Sequence, residues 1–147
     1  MTARPLSALG LSVQQQAELA TLGEAAYPRE ACALLIGDSS RRVTEIVPAA
    51  NISTDPEREF ELDPAVHIAV LRRLRDEGGT NRIIGHWHSH PNGRDEPSAK
   101  DAAMVSDPGL VWLITAVHDG RALPLRAFRP VVVGPGFGFL PLTIQQD

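Results

Sequence analysis

Apolar positions along the chain fall into short blocks separated by polar or Gly- and Pro-bearing stretches, and the spacing inside each block predicts its element. Val13, Ala17, Ala20 and Leu22 recur at roughly helical spacing, so Ser12–Ala26 reads as a helix with Ser12 as N-cap and Pro28 as its stop. Ala31–Ile36 is a continuous apolar run closed by Gly37-Asp38, the pattern of a strand covered on both faces. Arg42–Pro48 alternates weakly and is its expected hairpin partner. The polar stretch 51–59 reads as a surface loop, and Phe60–Leu62 as a short strand. Asp63-Pro64 places an N-cap and a first-turn proline ahead of Val66, Ala69, Val70, Leu71 and Leu74, so a second helix runs to Gly78-Gly79.

Arg82–His90 reads as a strand ended by Pro91, followed by a loop over 92–97. Ser98 is the expected N-cap of a helix from Ala99 to about Val105, with Asp101 as its third residue. Leu110–Val117 is a buried strand, His118-Asp119-Gly120 a turn, and Leu123–Phe128 a returning strand. From Val131 onward the chain is apolar but broken by Gly134, Pro135, Gly136 and Gly138, and is expected to be irregular structure packed on the domain or an oligomer contact. This order predicts an α/β (mixed α+β) fold, one mixed sheet flanked by helices. A length of 147 residues fits a single domain over 1–147, with a core of about 12–128 and a tail of 129–147.

Composition narrows the function. A net charge of -4 offers no basic footprint for nucleic acid. No apolar run reaches the about 18 residues of a membrane span, and the N-terminus does not read as a signal peptide. Cys32 is the single cysteine, so no disulfide forms within the chain, and a cytoplasmic location is expected.

The chemistry concentrates around the predicted strand Arg82–His90. His88 and His90 alternate on it, so both imidazoles project from one face. A short loop then returns a helix whose first turn carries Asp101. Two imidazoles and a carboxylate suit zinc, and three protein ligands leave a fourth position open, as catalytic sites do. Taken alone, a His-x-His pair is more often incidental than metal-binding. Glu30 taken alone is a solvated residue at a strand entrance, and Ser98 a helix cap. His86 shares the parity of the pair and is either a fourth ligand, which would close the site, or a core histidine behind it. Cys32 is expected to be a buried thiol, His67 and His118 surface residues, and Trp87 and Trp112 core.

The wider pattern, His88-Ser89-His90-Pro91 followed by Pro97-Ser98-Ala99-Lys100-Asp101, closely resembles the JAMM motif of the MPN-domain zinc metallopeptidases. Tyr27-Pro28-Arg29-Glu30-Ala31-Cys32-Ala33-Leu34-Leu35-Ile36-Gly37 is similar to the family's glutamate-bearing first strand, with Ala33 where such proteins more often carry Gly. The resemblance extends loosely over Asn51–Pro64 and covers most of residues 12–128. It implies the MPN fold, which is cytidine-deaminase-like. It also implies one zinc per chain on His88, His90 and Asp101, Glu30 as general base and Ser98 as oxyanion donor.

The implied activity is hydrolysis of an amide bond by a small stand-alone bacterial isopeptidase. The implied substrate is a ubiquitin-like or sulfur-carrier protein cut after a C-terminal Gly-Gly, gripped beside the Ile52–Phe60 loop. Two alternatives stand beside it: a zinc amidase acting on small peptides or peptidoglycan stem peptides, and a catalytically silent MPN interaction module. A nucleoside deaminase is disfavoured because the Pro-Cys-x-x-Cys signature is absent. The sequence leaves oligomeric state open.

Overall fold

The computed structural model describes residues 7–147. Its elements in chain order are β1 (Ala8–Gly10), α1 (Val13–Ala26), β2 (Cys32–Gly37), β3 (Val43–Ala49), α2 (Pro64–Glu77), β4 (Arg82–His90), α3 (Ala99–Ala103), β5 (Val111–His118), β6 (Arg121–Ala122), β7 (Arg126–Val133) and β8 (Gly136–Gln145). Eight strands form one mixed sheet in the order β1-β8-β7-β5-β4-β2-β3, with β6 paired to β5. The β4–β5 and β1–β8 pairs are parallel and the others antiparallel. Among the described residues no helix is long and apolar enough to cross a membrane.

The helix signals act as their chemistry requires. Ser12 and Gln15 form a reciprocal capping box on α1, and Asp63 caps α2, which ends at Gly78 in the left-handed conformation. The buried face of α1 differs from the expected one. Leu19 and Gly23 are buried with Leu22 beside them, whereas Val13 is 59% exposed, because α1 meets the sheet with its second half. On α2 the inward stripe is Val66, Val70 and Leu74, and Leu71 faces outward. Phe60–Leu62 forms only a single bridge, Asn51 to Leu62, rather than a strand.

The tail is the main correction. Residues 126–145 form a regular hairpin, β7–β8, with the turn at Gly134-Pro135, and β8 then receives β1 at the sheet edge. Glycines and a proline broke the sequence signal, yet Gly134, at φ 55, and Pro135 form the turn, and Gly136 and Gly138 fall on pleated backbone. The expected returning strand accordingly starts at Arg126 and continues past Phe128.

The two faces of the sheet carry different jobs. Leu9, Leu19, Ala33, Leu35, Trp87, Val111 and Leu113 pack under α1 as an apolar core. On the opposite face Cys32, Phe60, Trp112, Ile114 and Phe128 form a second cluster, extended under α2 by Leu34, Ile36 and Val70. Trp87 and Ser89 of β4 belong to the first face, so His86, His88 and His90 belong to the second.

Gly85 makes the β4–β5 pairing close. A Cβ there would lie 2.2 Å from the carbonyl oxygen of Val111, its register partner. Gly85→Ala therefore forces apart the strand pair that carries both histidines and should cost about 1–3 kcal/mol, read as a thermal midpoint several degrees lower. Gly79→Ala, with nothing within 4 Å of its Cβ, should leave the midpoint unchanged or raised. Equal midpoints for the two variants would contradict the close approach.

Candidate active site and metal centre

Each candidate residue is held by an element with a local reason to be where it is. β4 lies between β2 and β5, pairing His88 with Cys32 on one side and Ile114 on the other. Its central register leaves the His88 and His90 rings no freedom to turn outward, and they are 0% and 5% exposed. Ser98 caps α3 by accepting from the Asp101 N–H at 3.0 Å, and the Asp101 carboxylate accepts from the Ser98 N–H at 2.8 Å. This reciprocal box locks the Asp101 side chain at the helix start, facing the strand end.

Glu30 sits on the segment entering β2, 6% exposed. Its N–H donates to the Pro56 carbonyl at 2.7 Å, and its carbonyl accepts from Asn51 Nδ2 at 2.9 Å. One residue on, the Ala31 N–H donates to Ser89 Oγ at 2.8 Å, and the Ser89 N–H to the Ala31 carbonyl at 3.0 Å. Ser89, between the two histidines, thus ties the Glu30 segment to the histidine strand.

The structure brings the side chains together. Nε2 of His88 and Nε2 of His90 are 3.0 Å apart, and an Asp101 carboxylate oxygen lies 3.4 Å from the first and 3.1 Å from the second. A Glu30 carboxylate oxygen lies with the two imidazoles inside a wider cluster in which ligand atoms are within 4.8 Å of one another. Asp101 is therefore in the inner group and Glu30 beside it. Ser98 and Glu30 both line the open cleft next to this group, with His90 and the loop Asn92–Pro97.

His86 is not in this group. It packs edge-on against Trp112 at 4.2 Å between centroids and lies 5.2 Å from the Phe60 ring, and its Nε2 is buried without a hydrogen-bond partner among the described residues. Phe60 also stacks on His88 at 4.4 Å. Cys32, Trp87 and Trp112 are buried, and the His67 and His118 positions are exposed.

Charge is distributed unevenly over the group. Burial pushes the Glu30 carboxyl up to about 7, against the opposing pull of His90. Asp101 is buried too, but hydrogen bonds from His88 and His90 outweigh desolvation and hold it well below the usual carboxylate range. Burial lowers the pKa of His88 and brings His86 down to about 3, so both are neutral near pH 7. For His90 burial is outweighed by its hydrogen bond and attraction to Asp101, and its pKa is raised. Burial, with Glu30 nearby, pushes the Cys32 thiol up to about 12 and leaves it unreactive.

These donors fit a zinc ion on geometry of their own. Ligand atoms about 2.0–2.1 Å from a tetrahedral zinc stand about 3.3–3.4 Å from one another, and the observed spacings of 3.0, 3.1 and 3.4 Å lie at or just inside that value. His90 Nδ1 donates to the Arg94 carbonyl at 2.9 Å, and in the neutral ring this frees the Nε2 lone pair to face a cation in place of the hydrogen bond it otherwise gives Asp101. His88 Nδ1 has no such partner. Two lone pairs and a carboxylate converging this closely repel one another unless a cation or a shared proton lies between them.

Sequence reasoning missed the Arg94 carbonyl, Asn51, Ser89 and the Phe60 ring. A backbone oxygen carries no sequence signal. Ser89 had one, since a polar residue between two histidines on a core strand must find a partner. Asn51 donates from Nδ2 to three carbonyls, those of Glu30, Pro56 and Glu59, and accepts at Oδ1 from the N–H groups of Ser53 and Glu61. It orders the stretch expected to be a plain surface loop.

Known proteins resemble the chain at both levels. It is 39% identical over 95 residues to a desampylase from Haloferax volcanii, covering 64% of this chain and 66% of that one. It is 32% identical over 113 residues to tail tip assembly protein K of Escherichia phage N15, covering 76% and 43%. It is 33% identical over 74 residues to a probable TtuB-protein conjugate cleaving protease from Thermus thermophilus, covering 50% and 47%. The matched part is thus less than two thirds of each relative's length. Among solved structures, a protein from Desulfitobacterium hafniense matches with a TM-score of 0.74 at 26% identity over 95% of this chain and 94% of that one. A JAB1/MPN domain protein from Archaeoglobus fulgidus, at 15% identity and a TM-score of 0.59 over 95% and 99%, shares the fold. So does a structure described as JAMM, a metalloprotease-like zinc site in the proteasome and signalosome, with a TM-score of 0.55 at 14% identity over 94% and 98%. The model of prokaryotic homologs of the JAB domain matches residues 12–130, a stretch that takes in Glu30, His88, His90, Ser98 and Asp101, and the chain belongs to that family.

Proposed function

We propose that this chain is a zinc-dependent isopeptidase that hydrolyses an amide bond after the C-terminal Gly-Gly of a ubiquitin-like or sulfur-carrier protein. The observation that carries the reading is the buried convergence of His88, His90 and Asp101 within 3.4 Å, with the Glu30 carboxyl beside it at the wall of an open cleft. The desampylase and the conjugate cleaving protease among its relatives support the choice of substrate class.

His88, His90 and Asp101 hold the ion in this reading. When bound, zinc supplies Lewis acidity, polarising a carbonyl and bringing the pKa of water down to about 7. Glu30 accepts a proton from the attacking water as its oxygen bonds to the carbonyl carbon. It then delivers that proton to the amine nitrogen as the C–N bond breaks, leaving a free amine and a carboxylic acid that loses its remaining proton to solvent. Desolvation prepares Glu30 for both halves, since a carboxyl made more basic by burial accepts the proton more readily and still releases it to an amine. The Ser98 oxygen accepts from the Asp101 N–H, so its own O–H is free to donate to the developing oxyanion, worth roughly 3 kcal/mol for one well-placed donor.

A second reading is a zinc amidase for small peptides or stem peptides. It draws on the match to the phage tail tip assembly protein, which covers 76% of this chain. The silent-module alternative has no observation in its favour, because every candidate ligand and the adjacent carboxylate are present together.

Metal content tests the centre. Protein prepared without chelator should hold about one zinc per chain, Asp101→Ala should lose most of it, and Glu30→Gln should keep it while losing nearly all turnover. Absence of zinc on titration ends the assignment, and near-normal turnover by Glu30→Gln removes Glu30 from the chemistry.

His86→Phe should retain zinc and hold or raise the thermal midpoint, because it removes a buried nitrogen without a partner and keeps the packing against Trp112. Loss of zinc to the extent seen in His88→Ala would make His86 a ligand.

Substrate class is read by cleavage of a carrier fused to a short C-terminal extension. A Gly-Gly tail should be cut, and the same tail with the penultimate Gly replaced by Val cut far more slowly, because a Gly-Gly tail enters a narrow groove without side chains to clash and a branched side chain has no pocket there. Activity on free short peptides alone would favour the second reading.

A further inference from the structure

The two imidazoles of the centre are held in different ways. His90 is steadied by a hydrogen bond from its Nδ1 to the Arg94 carbonyl at 2.9 Å. His88 has no counterpart, since its Nδ1 is buried without a hydrogen-bond partner among the described residues. An imidazole that ligates a metal is usually oriented by the bond its other nitrogen makes. The plane of the His88 ring is therefore set by packing.

Phe60 supplies that packing. Its ring lies nearly parallel to the His88 ring, with 22° between planes and 4.4 Å between centroids. The His86 ring is farther off at 5.3 Å, and the Trp112 ring, edge-on, at 5.7 Å. A stacked phenyl face opposes rotation of the imidazole about its Cβ–Cγ bond, because turning drives ring atoms into that face. Space to turn into is at hand, for Phe60, His86 and Trp112 line a cavity of about 270 Å³.

The backbone holds Phe60 in turn. Asn51 Nδ2 donates to the Glu59 carbonyl at 3.1 Å, and Asn51 Oδ1 accepts from the Glu61 N–H at 3.0 Å, one residue to either side of Phe60. The Ile52 N–H donates to the Glu61 carbonyl at 2.9 Å, and Asn51 and Leu62 form an isolated bridge. A ring on a polar segment outside the sheet is thus anchored at both of its neighbours.

We infer that Phe60 is a positioning residue of the metal centre, its ring setting the plane of the His88 imidazole where an outer hydrogen bond is absent. The inference rests on the reading of His88, His90 and Asp101 as a zinc site. A phenyl ring has no atom that ligates or moves a proton. It acts through His88, keeping Nε2 directed at His90 and Asp101, 3.0 and 3.4 Å away. Without it the imidazole samples other planes in the metal-free protein, and the cost of ordering one side chain falls on metal binding, about fivefold to tenfold in affinity.

Zinc affinity, measured by competition with a chromophoric chelator, tests this apart from turnover. Phe60→Leu keeps an apolar side chain and removes the plane, and should bind zinc about fivefold to tenfold more weakly. Phe60→Tyr keeps the plane and should stay within about twofold of wild type. Val70→Ala, in the neighbouring apolar cluster under α2, should lower the thermal midpoint of the metal-free protein and leave zinc affinity unchanged. Wild-type affinity in Phe60→Leu overturns the role, as does a loss shared equally with Phe60→Tyr or with Val70→Ala. A second measurement needs no variant. In metal-free wild-type protein with isotope-labelled histidines, the His88 ring resonances should be single and sharp, with ring protons displaced upfield by the phenyl face. Doubled or exchange-broadened His88 resonances that sharpen only when zinc is added would make the ion, rather than Phe60, the orienting group. Wild-type protein that takes up no zinc removes the metal site and this role with it, whereas equal zinc binding by wild type and Phe60→Leu removes the role alone.

Discussion

The pleat of one central strand governs this molecule. Because β4 lies between β2 and β5, its side chains have only two directions available. Trp87 and Ser89 take the face under α1, where Trp87 Nε1 donates to Thr115 Oγ1 at 2.9 Å and Ser89 binds the Ala31 backbone. His86, His88 and His90 are forced onto the other. A slip of one residue in the β2–β4 pairing would exchange these sets, burying three imidazoles in an apolar core and presenting an indole at the cleft. The large side chain of Trp87, fully buried against Leu19 and Leu35, makes that exchange expensive and so fixes the register of the histidines.

The same economy appears at α3. A five-residue helix cannot stabilise itself, and it is held by its cap. Ser98 and Asp101 satisfy each other's N–H groups, and the geometry that does so aims the Asp101 carboxylate at the two Nε2 atoms. Structure and proposed chemistry therefore share these residues. Ser98→Ala would remove an N-cap, an orienting contact for Asp101 and a proposed oxyanion donor at once, so its phenotype alone cannot assign the role of the hydroxyl. Ser98→Asp and Ser98→Thr divide these effects, since both cap a helix and only Thr keeps an O–H to donate.

Much of this was readable in the residues. Capping signals and periodicity located the three helices of the described residues, and His-x-His parity with the Ser98–Asp101 spacing predicted the cluster that the structure brings together. What was hidden depends on long-range pairing. β1 has only three residues and exists because β8 offers it an edge, and β8 was obscured by Pro135 and the glycines around it, which break an apolar run without breaking a hairpin. The stretch after Asn51 looks like a polar loop because its order comes from one carboxamide satisfying backbone groups from five residues, contacts that leave no periodic trace. Phe60 reads as a strand residue, yet its ring is a lid on His88 and a wall of the neighbouring cavity.

Two buried carboxylates a short distance apart usually cannot share a charge state, and here their surroundings separate them. Asp101 has hydrogen bonds from both imidazoles and from the Ser98 N–H, which more than offset its desolvation. Glu30 has none of these, and burial dominates. The carboxylate that stays ionised is the one in contact with both nitrogens, suited to hold a cation. The one whose proton affinity is raised stands at the cleft wall, suited to take a proton and give it back. That division comes from which carboxylate sits in the capping box. Exchanging Asp101 for Glu would retain the charge but lengthen the side chain by a methylene, displacing the carboxylate from the Ser98 N–H and from the position where the two imidazoles meet it. The spacing between cap and strand, as much as the kind of residue, is what separates the two roles.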